Sequence, residues 1–119
     1  MSDSDRVGRF LRLRRKNGEW RVDPRLREKL LQEEDGSLAA AINRILCEVY
    51  GIEHRPTGKN GNAESGADKI NLIIQGDLDK KLMRVAAQRG RGWTVQDEIM
   101  ATLSRHYGLP MPGITSRAA

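Results

Sequence analysis

Apolar residues recur at every second position through DKINLIIQ (68–75). Ile70, Leu72 and Ile74 share one face, and Lys69, Asn71, Ile73 and Gln75 take the other. This is the alternation of a half-buried strand. At Leu78 the period changes to helical, with Leu78, Leu82, Val85 and Ala86 on one face, Asp77 as cap and Gly90 as stop. Thr94 caps a further helix, with Asp97 in the capping-box position; Val95, Ile99, Leu103 and Tyr107 form its stripe and Gly108 ends it. A similar succession runs upstream. GEWRV (18–22) reads as a strand, and Asp23-Pro24 starts a helix that carries Leu26, Leu30 and Leu31 to about Glu34 before Asp35-Gly36 stops it. Ser37 caps the next helix, whose apolar face is Leu38, Ile42, Ile45, Leu46 and Val49.

The two halves align. Ser37 faces Thr94, Leu38 faces Val95, Ile42 faces Ile99, Leu46 faces Leu103, and Tyr50-Gly51 faces Tyr107-Gly108, at a constant offset of 57. Upstream the offset is 52, matching Trp20 with Leu72, Val22 with Ile74, Leu26 with Leu78 and Leu30 with Leu82. An internal duplication follows, interrupted by EHRPTGKNGNAESGAD (53–68), a stretch without Leu, Ile, Val or aromatic residues that has the composition of a linker. The expected organisation is a basic arm or extra strand (1–18), one unit (19–52), the linker (53–68), a second unit (69–109) and a disordered tail (110–119). Neither unit is large enough to fold readily alone, and a single strand leaves its backbone groups unpaired. The expected fold class is therefore mostly α with a short antiparallel β-ribbon, made by pairing the strand at 18–22 with the strand at 69–75.

Strand, helix, turn and helix, with INLIIQGDLDKKLMRVAAQRGR followed by TVQDEI, resembles the ribbon-helix-helix DNA-binding fold of the Arc/MetJ/CopG type. EWRVDPRLREKLLQEEDGSLAAAINRI is similar, with a shorter and more acidic strand. The resemblance covers about two-thirds of the chain and implies two such motifs forming an intramolecular pseudo-dimer. It implies a sequence-specific, double-stranded DNA-binding transcriptional regulator, a repressor of bacterial or phage type, whose ribbon enters the major groove. Carried over residue by residue, the base-reading positions are Lys69, Asn71, Ile73 and Gln75 in one unit and Glu19 and Arg21 in the other. Asn and Gln suit adenine edges, Arg suits guanine, Glu accepts from cytosine, and Ile can meet a thymine methyl. Ile73 also admits the opposite reading, a face covered by protein. The resemblance places phosphates at the starts of the second helices, Ser37-Leu38 and Thr94-Val95, with Arg91 adding charge.

Charge fits this expectation without proving it. The chain of 119 residues carries 21 Lys and Arg against 16 Asp and Glu, a net charge of +5. RFLRLRRKNG adds Arg12, Arg14, Arg15 and Lys16, either as an arm on phosphates or as a strand turning back at Asn17-Gly18. One cysteine, Cys47, excludes an intrachain disulfide, and His54 and His106 stand apart from it, so neither a metal nor another cofactor is expected. No nucleophile–base pair or phosphate loop is visible, so an enzyme is not expected. No apolar run nears the roughly 18 residues of a membrane span, and MSDSDRVGRF is not a signal peptide, which places the chain in the cytoplasm with the nucleoid. Other expected classes are an antitoxin-type protein-binding module, disfavoured because only Pro110 to Ala119 remain to hold a toxin, and a phage or architectural DNA-binding accessory protein. Self-association on DNA is compatible with all of these.

Overall fold

The computed structural model describes residues 6–33, 37–55, 69–90 and 92–111. Its elements are β1 (Arg6–Arg12), α1 (Arg25–Leu31), α2 (Leu38–Tyr50), β2 (Lys69–Gln75), α3 (Gly76–Arg89) and α4 (Val95–Tyr107). The two strands form one antiparallel sheet, with Arg6 opposite Gln75, Arg9 opposite Leu72 and Arg12 opposite Lys69. Linker residues beyond Arg55, the Asp35-Gly36 stop, Arg91 and most of the tail lie outside the described residues.

The inner face of this ribbon is why it forms. Leu11, Ile70, Leu72 and Ile74 are each at most 1% exposed, joining Leu78, Leu82, Ile42, Ile45, Leu46, Ile99 and Leu103 in one core. Burying each such aliphatic side chain contributes about 1.5–3 kcal/mol. The apolar periodicity of β2 and of the helices sets these positions, and a single core gathers all four helices under the sheet.

This architecture corrects the expected fold class. The partner of β2 is the amino-terminal RVGRFLR and not GEWRV, so the strands are offset by 63 (Arg6 to Lys69) where the duplication required 52. Residues 13–21 form a hairpin instead, with Arg15 N–H donating to the Glu19 carbonyl (2.7 Å), Arg21 N–H to the Leu13 carbonyl (2.7 Å) and Gly18 at φ +95° in the turn. α1 has 7 residues and α3 has 14. Only α2 and α4 keep the expected match, 13 residues each, with side-chain caps from Ser37 and Thr94 and left-handed glycines, Gly51 and Gly108, at their ends. The described residues form a mixed α/β globule of four helices and one two-stranded antiparallel sheet, and the tandem ribbon-helix-helix pseudo-dimer is not their architecture. The physical reason is length and polarity. GEWRV offers only Trp20 and Val22 inward, whereas 6–12 gives a seven-residue ladder with Val7 and Leu11 on the core side.

One polar residue breaks the inner face. Arg9 points inward, and its Nε donates to Asp79 Oδ1 at 2.7 Å, in the first turn of α3. Asp79 keeps 8% of its side chain exposed, so the guanidinium supplies the partner that a nearly buried carboxylate needs.

Deleting residues 1–12 is expected to abolish cooperative thermal unfolding, followed by circular dichroism, because β2 loses its partner. Had GEWRV been the strand, the same deletion would remove only an arm. Leu72→Ala should cost about 2–5 kcal/mol in urea titrations, against under about 0.5 kcal/mol for Ile73→Ala, since only Leu72 faces the core.

Candidate functional site

Side chains that alternate away from the core make an outer ribbon face. From β1 it receives Gly8, Phe10 and Arg12; from β2 it receives Lys69, Asn71 and Ile73. The register sets Gly8 opposite Ile73, Phe10 opposite Asn71 and Arg12 opposite Lys69. Phe10 and Ile73 are 39% and 44% exposed, so two large apolar groups stand in solvent at the middle of the face. The Lys69 ammonium lies 4.8 Å from the centre of the Phe10 ring, a cation–π pair that keeps the ring at the surface. Gly8 is a glycine inside a strand, which forgoes roughly 0.5–1 kcal/mol relative to alanine. No atom lies within 4 Å of the place its Cβ would occupy.

The outer edges of the ribbon are met by helix side chains. Asn43 of α2 donates to the Ile73 carbonyl at 3.1 Å, and the Arg12 N–H donates to the Gln96 side-chain oxygen of α4 at 3.2 Å. Edge groups satisfied in this way are withdrawn from pairing with another strand.

Three of the six expected base readers lie on this face: Lys69, Asn71 and Ile73. Gln75 does not. It is 2% exposed and serves as an internal clamp, its Oε1 accepting from Arg55 N–H at 2.7 Å and its Nε2 donating to the Glu53 carbonyl and to Asp77 Oδ1, both at 3.0 Å. Gln75 keeps its place in the ladder opposite Arg6, but Glu53, Arg55 and Asp77 gather over it at the end of β2. Glu19 and Arg21 are also off the ribbon, because their segment is the hairpin. Arg21 is bound to Asp97 at 2.6 Å, with 17% and 3% of the two side chains exposed.

At the Arg12–Lys69 end the ribbon runs straight into that hairpin, where Arg15 and Lys16 are exposed. Arg14 is partly committed, with its Nε donating to the Gly18 carbonyl at 3.3 Å and its guanidinium 5.0 Å from the centre of the Trp20 ring. The start of α4 lies at the same end, through the Arg12–Gln96 bond. Thr94 is exposed there and Val95 half-buried. Thr94 and Asp97 bond reciprocally, Oγ1 accepting from Asp97 N–H (3.1 Å) and Asp97 Oδ2 from Thr94 N–H (3.0 Å). At the start of α2, Ser37 accepts from Ala40 N–H at 3.1 Å and Leu38 is buried; the helix meets β2 further along, through Asn43 and Cys47. Arg91 lies outside the described residues.

Glu98, fully buried, holds α4 in place. Its carboxylate accepts from the Tyr50 hydroxyl (2.6 Å), Trp93 Nε1 (2.9 Å) and Arg89 Nε (3.0 Å). Burial pushes its pKa up, but the bonds from Arg89, Tyr50 and Trp93 outweigh this and hold it below the ordinary glutamate value. Burial and the bond to Glu98 push the Tyr50 hydroxyl up to about 12. Cys47, buried, is pushed up to about 11, mainly by loss of solvent, and is no nucleophile. Among the described residues, no group of three or more His, Cys, Asp or Glu gathers to hold a metal, and no helix is long and apolar enough to cross a membrane.

Sequence reading missed Gly8, Phe10 and Arg12 as face residues. The signal was present as the alternation of Val7, Arg9 and Leu11, but the inward charge of Arg9 broke it. No family model, curated protein or solved structure matches the chain.

A carboxylate whose folded pKa is depressed stabilises the fold above its unfolded pKa, about 4.3 for glutamate, and that stability is lost as pH falls through the folded value. The melting temperature should therefore drop on acidification below pH of about 4. Glu98→Gln should melt lower than the parent at neutral pH and show a shallower acid limb, read by thermal denaturation across pH.

Proposed function

We propose that the protein is a sequence-specific, double-stranded DNA-binding transcriptional regulator, a repressor, that lays the outer face of the β1–β2 ribbon in a major groove. One observation carries this reading. A two-stranded ribbon presents Arg12, Lys69 and Asn71 beside Phe10 and Ile73, on a chain of net charge +5. The major groove admits a two-stranded ribbon, and these side chains have chemistry that base edges can answer. Asn71 pairs with an adenine edge, Arg12 with guanine O6 and N7, and the apolar pair contacts thymine methyls. Arg15 and Lys16 on the hairpin take flanking phosphates and fix the register on the duplex.

The two strands present different residues, so the preferred duplex is asymmetric. The protein works by occupancy and not by catalysis, needs no cofactor, and belongs in a bacterial or phage-infected cytoplasm with the nucleoid.

Selection from random duplex DNA, followed by titration at fixed salt, tests this. Asn71→Ala should weaken the selected duplex by about 1–3 kcal/mol and relax preference at one base pair. Lys16→Ala should weaken all duplexes alike and reduce the salt slope by about one. A uniform loss for Asn71→Ala across all sequences would remove it as a reader and with it the proposed face.

A further inference from the structure

Gly8 asks for an explanation that the folded chain does not supply. It lies inside β1, and no φ in the left-handed region requires a glycine there. No neighbouring atom lies within 4 Å of a Cβ built on it, so its own fold does not require the missing side chain either. A strand glycine without a turn, a bulge or a packing reason marks a place where something else approaches the backbone closely. Its surroundings describe that visitor. Ile73 stands directly across the ribbon and Phe10 two residues along the same strand, both well exposed, so the open space over Gly8 is a notch only in the sense that the two larger apolar residues border it in the register, each more than 4 Å from where a Cβ would stand.

We propose that this notch is the specificity determinant of the ribbon, receiving the 5-methyl group of one thymine in the bound duplex. The proposal rests on the DNA-binding reading above and names the chemistry it recognises at one position. Charge complementarity chooses the occupant. Arg12 and Lys69 border the face, and the basic hairpin continues it, which suits a polyanion whose groove floor carries methyl groups. Lys69, drawn over the Phe10 ring, holds that wall upright. A Cβ at position 8 would occupy the space the methyl takes, and the protein itself would not object.

Stability and binding are therefore expected to part company. Gly8→Ala should melt at or above the parent temperature, since its Cβ meets no atom within 4 Å, and Gly8→Val should melt no lower than the parent, since it adds strand propensity at an exposed position. Binding of Gly8→Val to the duplex selected by the parent should fall about tenfold, the scale of one lost base contact. Each thymine of that duplex is then replaced in turn by deoxyuridine, which removes only the methyl. One replacement should weaken the parent protein severalfold and leave Gly8→Val unchanged. The notch fails if Gly8→Val binds as the parent does, or if it keeps the full thymine–uracil difference. It also fails if solution mass and cross-linking show the ribbon face buried between two copies of the chain. If the parent enriches no duplex over random DNA, the DNA-binding reading itself falls and takes the notch with it. If the parent enriches a duplex and only the uracil substitution is silent, the groove reading stands and this inference alone is lost.

Discussion

The antiparallel pairing of Arg6–Arg12 with Lys69–Gln75 is the constraint on which the molecule depends. A lone strand cannot satisfy its backbone, and a two-stranded ribbon is itself marginal in water unless one face is buried. Leu11, Ile70, Leu72 and Ile74 supply that burial, and all four helices contribute to the core against which they pack. The pairing joins the first described residues of the chain to a strand in its second half. Its closure entropy is recovered only when the whole core assembles, so the sheet and the helices stand or fall together.

Around this ribbon, buried carboxylates set the helices. Asp79 receives Arg9 from β1, Asp97 receives Arg21 from the hairpin, and Glu98 gathers Tyr50, Arg89 and Trp93. Glu33 does the same at the end of α1, accepting from Arg44 and from the Tyr107 hydroxyl, both at 2.6 Å. Each carboxylate loses solvent and recovers it as charge-assisted hydrogen bonds to a distant element. The tyrosines that end α2 and α4 are thereby fixed by acids on other helices. The outer ribbon face instead sets exposed apolar groups, Phe10 and Ile73, beside the basic Arg12 and Lys69.

Much of this was legible from periodicity. The strand at 69–75, the helix after it, and the capped pair α2 and α4 with their terminal glycines follow from spacing and cap chemistry, both local. Lys69, Asn71 and Ile73 fell on the outer face for the same reason. The first strand did not, because two segments competed. GEWRV stood in the position the duplication demanded, whereas RVGRFLR carried an arginine on what proved to be its inner face. Arg9 makes sense inward only beside Asp79, seventy residues away, and no local pattern contains that contact. Gln75 was misplaced similarly, since the backbone of Glu53 and Arg55 that binds it lies some twenty residues upstream.

By itself the sequence determined which residues are apolar at which period, where α2 and α4 begin and end, and how much positive charge the chain carries. Those properties depend on neighbours a few residues apart. Tertiary structure decided which segment pairs with β2, which charges are neutralised inside, and which residues of the two strands share the outer face. Such choices compare whole arrangements by the apolar area they bury and the polar groups they leave unsatisfied. The longer ladder of 6–12, with its one inward arginine paired, prevailed over the shorter strand that the repeat had favoured.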